Sequence, residues 1–174
     1  MQPLAERSED VFDPARHGLE RMVGFLQSLE SRTMKHSELE RWIEKEGREV
    51  MRQLLQAHLD LRGPAEVVEE VRDADKCERP IERLHERSLA TVFGTVTVER
   101  FGYRSQGQES LHPVDGELNL PVERYSLELR RRVAEQAAKS SFEETQQALE
   151  ATTGSAVAKR QVEELVARAG NAED

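Results

Sequence analysis

Between Tyr125 and Gly170 the chain carries a start and stop signal for one short helix after another, which leaves little room there for anything but a small bundle. Ser126 to Lys139 reads as a helix with Leu129, Val133 and Ala137 a turn apart on one face and Arg130, Arg131 and Arg132 crowding its middle. Ser141 then opens a second helix, and Glu144 three residues on completes a Ser-x-x-Glu capping box. Phe142, Thr145, Leu149 and Thr152 lie along one side of that helix, and Gly154 ends it. After the connection Ser155 to Ala158, a third helix turns Val162, Leu165, Val166 and Ala169 inward and Lys159, Arg160, Gln161, Glu163 and Glu164 outward. Three short helices joined in this way predict a helix-turn-helix over residues 121–170.

Charge limits what such a unit can do. The 174 residues have a formal net charge of -9, yet residues 125–170 hold seven basic and seven acidic side chains, so the acidity lies elsewhere. A neutral head is poorly suited to strong nonspecific DNA binding, which depends on Lys and Arg contacts to phosphate. The single cysteine, Cys77, excludes an intrachain disulfide, and the five histidines never fall at metal-ligand spacing, so no metal or cofactor is expected. No apolar run is long enough to span a bilayer and Met1 to Asp10 has no apolar leader core, so the expectation is a cytoplasmic protein with no membrane partner.

Residues 1–12 have little to bury and read as disordered; the helical arm is placed at residues 13–64. Asp13 and Pro14 form an N-cap and first-turn pair, after which Leu19, Met22, Val23, Leu26 and Leu29 recur at helical steps as far as about Arg32. Ser37 with Glu40 forms a second capping box, and Leu39, Ile43, Val50, Leu54 and Leu61 make a seam close to a heptad pattern until Gly63 and Pro64. At 1.5 Å per residue this helix spans about 37 Å, more than the first helix can cover. Either the strands that follow or the same helix of a second molecule must cover the rest, and Trp42, Met51 and Leu55 widen the stripe enough to favour packing within the chain. Gly47, unfavourable in mid-helix by up to about 1 kcal/mol relative to Ala, marks a point of close packing.

Over residues 65–120 the period changes to that of strands. Val67 to Arg72, a turn at Asp73 to Lys76 and a strand from Cys77 read as a hairpin in which Pro80 requires an edge or a bulge. Leu89 to Phe93 and Thr95 to Tyr103 alternate around Gly94, so that Val96, Val98 and Phe101 are buried and Thr95, Thr97 and Glu99 face water. Leu111 to Val114 reads as one further short strand, and residues 171–174 as a tail. The class predicted is α+β, mostly helical: an N-terminal helical arm, a small antiparallel sheet and a C-terminal helix-turn-helix.

The residues best placed to meet DNA are Lys159, Arg160 and Gln161, in the first turn of the third helix, where a recognition helix reaches base edges or phosphates. Arg130, Arg131 and Arg132 are candidates for backbone contact, although three consecutive positions cannot share one face and one of them is expected to be a surface salt-bridge partner. Arg100 and Arg104 project from the hairpin and its exit, where a β-ribbon can track a groove, although charged outer faces are ordinary on sheets. Ala158 stands where a Ser or Thr cap is expected, so the third helix either starts elsewhere or frays.

Several separated motifs carry a family resemblance. LATVFGTVTVER from Leu89 to Arg100, LHPVD from Leu111, LNLP from Leu118, RYS from Arg124 and RRRVAE from Arg130 resemble the N-terminal region of ISKra-type insertion-sequence transposases. SFEE from Ser141, Thr153-Gly154 and KRQVEELV from Lys159 are similar to that family's helix-turn-helix, and QLLQAHLDLR from Gln53 to its upstream arm. The resemblance covers most of residues 37–170. It implies the DNA-binding front of a transposase, which would engage the element's terminal repeats, with catalysis left to a separate ribonuclease-H-like domain that holds two divalent metals. The chain reaches Asp174 about where that domain would begin, so no catalytic residues are assigned.

The alternatives are a truncated, inactive transposase remnant or a protein-interaction module in which helix 37–62 pairs two chains as a homodimer. A self-sufficient hydrolase has no support, because no Gly-x-Ser-x-Gly, phosphate loop, His-Glu-x-x-His or cysteine-histidine arrangement is present, and no small-molecule substrate is expected.

Overall fold

A computed structural model describes residues 4–64, 68–139, 141–153 and 157–170. Three helices come first, α1 (Leu4–Gln27), α2 (Leu29–Thr33) and α3 (His36–Arg62), followed by strands β1 (Glu70–Arg72), β2 (Glu78–Thr91) and β3 (Gly94–Tyr103). The short α4 (Pro113–Glu117) leads to α5 (Leu127–Ala137), α6 (Phe142–Thr153) and α7 (Lys159–Gly170). The fold is α+β and mostly helical, as the sequence predicts.

The arm differs from expectation at three helix ends. α1 begins at Leu4 rather than Asp13 and carries Pro14 inside it. Asp13 does not cap; its carboxylate takes Arg16 at 3.1 Å and its carbonyl lies 2.9 Å from His17 Nδ1. The helix does not run on to Arg32. Ser28 interrupts it, because its hydroxyl accepts from the Ser31 amide at 3.2 Å while the Ser31 hydroxyl reaches the Leu26 and Ser28 carbonyls, each at 3.0 Å. α3 starts one residue ahead of Ser37, and its capping contact joins the Lys35 N–H to Glu38 at 3.2 Å, so Glu40 is left to pair with His36. Its far end is where the sequence places it. Gly63, at φ +62, returns its N–H to Leu59 and Asp60.

α1 and α3 pack side by side through Phe25 on Trp42, with ring centroids 4.1 Å apart, and through Gly18 against Val50. Gly18 is the tighter approach: a Cβ there would stand 2.9 Å from Val50 Cγ2, whereas one at Gly47 would be 3.8 Å from Met22 Cε. The C-terminal half of α3 lies along β3. The sheet order is β1-β2-β3, so β3 is an edge strand, and Gln56 covers that edge as a strand would. Its amide donates to the Thr97 carbonyl at 2.9 Å and accepts from the Thr97 N–H at 2.8 Å.

β1 and β2 pair antiparallel from Glu70 with Pro80 to Arg72 with Glu78, and a register shift between Ile81 and Arg83 provides the bulge that Pro80 requires. β2 and β3 are joined at Val92 and Phe93, with Thr91 opposite Gly94. Gly94 takes φ +124, outside the range comfortable for other residues, and so completes the reversal that the two apolar turn residues begin. Val96 and Val98 are buried and Phe101 partly so. Leu111 contributes only an isolated bridge to Tyr103, and α4 takes the place of the expected strand.

The hydrophobic core joins the C-terminal helices to the hairpin tip. Leu129, Val133, Leu149, Val157, Val162 and Leu165 enclose Val92, with Phe93, Tyr125 and Val166 at the margin. Thr145 is buried without penalty, since its hydroxyl donates to the Ser141 carbonyl at 2.9 Å.

Candidate nucleic-acid interface

Each of the three C-terminal helices has a local reason to begin where it does. Ser126 caps α5 by accepting from the Leu129 N–H at 3.2 Å. Ser141 and Glu144 form the expected box, with the Ser141 N–H 2.9 Å from the Glu144 carboxylate and the Glu144 N–H 3.3 Å from the Ser141 hydroxyl. The Ser141 N–H and, at 3.1 Å, the Ser141 hydroxyl both donate to the Glu144 carboxylate and hold it below its ordinary pKa. Gly154 lies outside the described residues.

At α7 the missing Ser or Thr is replaced from within the helix. Ala158 occupies the cap position, its carbonyl taking the N–H groups of Gln161 and Val162 at 2.8 and 3.0 Å, and the Gln161 side-chain oxygen accepts from the Ala158 N–H at 3.3 Å. This is the second half of a capping box without the first. The Tyr125 hydroxyl donates to the same Gln161 oxygen. Tyr125 is itself held in place because Arg124 O accepts from Ala90 N–H at 2.8 Å and Ser126 N–H donates to Ala90 O at 2.9 Å, a short parallel pairing on the β2 edge. Burial, more than the opposing charge of Arg124, pushes the Tyr125 hydroxyl pKa up. Tyr125 is therefore the positioning residue that sequence reasoning missed. The available signal was a Gln at the third position of a helix without a capping hydroxyl.

The segment leading to Tyr125 is clamped by buried charge. Arg87 donates to the carbonyls of Pro121 and Glu123 and, at 3.2 Å, to Asp115, which also receives Arg100. Arg100 thus does not project from the hairpin as expected. It occupies the same alternating face as Val96 and Val98, and only 16% of its side chain is exposed. The Asp115 carboxylate and the hydrophobic face turn it inward, and desolvation lowers its pKa. Arg104 remains at the exit, half exposed, bonded to the Gln108 carbonyl at 3.0 Å and 3.7 Å from Glu82.

The arginine triplet is engaged more fully than the sequence suggests. Arg130 pairs with Glu123 at 3.0 Å, Arg131 with Glu128 at 2.8 Å and with Glu135, and Arg132 with Glu128 at 3.0 Å. Hydrogen bonds from Arg131 and Arg132 draw the Glu128 pKa down to about 2. Arg160, 88% exposed, reaches Glu164 at 3.3 Å. The Lys159 side chain lies outside the described residues. Exposed pairs of this kind are worth only about 0–1 kcal/mol, so an incoming phosphate can displace the carboxylate.

The structure therefore gathers Arg160 and Gln161 at the start of α7, keeps Arg130, Arg131 and Arg132 on α5, and removes Arg100 to a buried cluster. It also brings together two histidines that are far apart in sequence. His85 Nδ1 lies 3.0 Å from His112 Nε2, and Arg83 donates to His85 Nε2 at 3.1 Å, which leaves Nδ1 as the protonated donor to His112. Desolvation, then the Arg100 charge, lowers the His112 pKa. Among the described residues no group of three or more His, Cys, Asp or Glu side chains could hold a metal ion, and no helix is long and apolar enough to cross a membrane.

Comparison with protein families gives a match to one family profile over residues 29–173, from α2 through the C-terminal helices. The chain belongs to the uncharacterised protein family UPF0236. The UPF0236 match includes α3, the sheet, the Arg87–Asp115 clamp and the whole α5–α7 unit. No curated protein and no solved structure matches the chain.

Proposed function

We propose that this UPF0236 chain is the DNA-binding portion of a transposase and recognises the terminal repeats of a mobile element through the first turn of α7. The observation that carries the reading is the fixed presentation of that turn. Gln161 is held by Tyr125 and Ala158, Arg160 stands in solvent beside it, and the helix behind is anchored by buried Val162 and Leu165. A helix N-terminus also offers phosphate its dipole and free N–H groups. The resemblance of residues 37–170 to ISKra-type transposases supports the same assignment.

On this reading binding is weak and sensitive to salt, because the α5–α7 region has no net charge and its described arginines must exchange carboxylates for phosphates. On the same reading the chain carries no strand-transfer chemistry of its own, and adding magnesium should leave terminal DNA uncleaved. The test is a titration of labelled duplex from the ends of the element that encodes the chain, against scrambled duplex, at two salt concentrations. Lys159→Ala with Arg160→Ala should weaken binding to end DNA by about 1–3 kcal/mol per specific contact while circular dichroism stays unchanged. Equal binding by both proteins would remove the recognition-helix assignment and favour the interaction-module reading.

A further inference from the structure

We infer that Tyr125 makes Gln161 a donor-only reader of the DNA major groove, which selects guanine over adenine at the base pair it meets. The inference rests on the α7 reading above and adds the chemistry of its central side chain. A glutamine that reads adenine gives an N–H to N7 and takes one from N6, so it needs both ends of its amide free. In this chain one end is occupied. The Ala158 N–H faces the Gln161 amide at 3.3 Å, and because an N–H can meet only the oxygen, that contact settles which way the amide is turned. The Tyr125 hydroxyl donates to the same oxygen. It keeps its proton at neutral pH, since burial pushes its pKa up.

A carbonyl oxygen has two lone pairs, and these two donors take both. Neither donor is free to move aside. The Ala158 carbonyl is held by the Gln161 and Val162 N–H groups, and the residues on either side of Tyr125 are bonded to Ala90. Gln161 is nevertheless exposed, and its Nε2 has no hydrogen-bond partner among the described residues. The planar amide directs that nitrogen away from the two donors. What α7 offers a base edge at this position is therefore an NH₂ group with no acceptor beside it. Guanine answers it with two acceptors, O6 and N7, and thymine with one, O4. Adenine sets its N6 donor next to N7, and cytosine presents only a donor. The expected order is guanine, then thymine, then adenine, with cytosine last.

The experiment titrates the full chain with labelled duplex from the element's ends and with a set of duplexes in which each base pair is replaced in turn by the other three. Wild type should prefer guanine to adenine by about tenfold at one position, and Gln161→Ala should lose that preference. Tyr125→Phe keeps the ring and the backbone pairing but frees one lone pair of the Gln161 oxygen, so the amide can accept from adenine N6. It should bind the guanine duplex within about threefold of wild type while its preference over adenine falls to about threefold or less. Absence of any Gln161-dependent preference for guanine, or a Tyr125→Phe protein that keeps the full preference, would overturn the inference. Lys159→Ala with Arg160→Ala, run on the same duplexes, separates the two readings. If that variant loses binding, the α7 reading stands and a failed guanine result counts against this inference alone; if it binds as wild type does, both fall.

Discussion

The helical arm and the C-terminal helices treat similar apolar patterns in opposite ways. In α5–α7 Leu129, Val133 and Val162 are all fully buried, whereas in α1 and α3 Leu19, Val23 and Leu54 are about half exposed. Three helices around a hairpin tip enclose a core on every side. Two helices laid beside an edge strand leave one long side uncovered, and Gln56 joins the arm to the sheet where apolar packing is incomplete. An amphipathic repeat is thus a statement about one face of a helix, and the number of neighbours determines how much of that face is covered.

The largest effect that would break this contrast is a truncation of equal chemistry in the two regions. Leu129→Ala should lose about 2–5 kcal/mol, because it opens a cavity in a closed core, while Leu54→Ala should lose less than about 1 kcal/mol. Urea denaturation of both variants measures the difference; similar losses would mean that the arm is as closed as the C-terminal unit. Next in size is the junction between them. Gln56→Ala should lose about 1–3 kcal/mol and raise hydrogen exchange at Thr97 without affecting α5–α7 amides, since both outward backbone groups of Thr97 lose their partner.

The smallest effect is electrostatic. The folded chain holds Glu128 near 2, down from the ordinary 4.5, through Arg131 and Arg132. A carboxyl lowered on folding contributes stability that is complete above the unfolded value, so the contribution is retained at neutral pH and lost as the pH falls from 4.5 toward 2. Glu144, lowered by Ser141, changes in the same direction. Carboxyl NMR should show Glu128 titrating well below an exposed glutamate, and a midpoint in the ordinary range would mean that the arginines are free to meet phosphate without competition. His112 behaves as a lowered base: its contribution is complete above the ordinary 6.5 and is lost as the pH falls below it. Acid should therefore loosen the β2 to α4 junction before it reaches the α5 and α6 helix starts.

Local chemistry by itself determined the end of α3, the starts of α5 and α6, the hairpin around Gly94, and the inward rows of the C-terminal helices. Capping hydroxyls, a glycine at positive φ and apolar spacing all act within a few residues of the chain. Helix ends whose signals compete were less legible. Pro14 suggested a start that α1 runs through, and Ser28 breaks a helix that periodicity would continue. Only the tertiary structure turned Arg100 inward to Asp115, joined His85 to His112, and let Tyr125 and Gln161 stand in for the absent cap of α7. These contacts link residues far apart in sequence, and an isolated pattern cannot distinguish an arginine facing water from one facing a carboxylate brought to it by the fold.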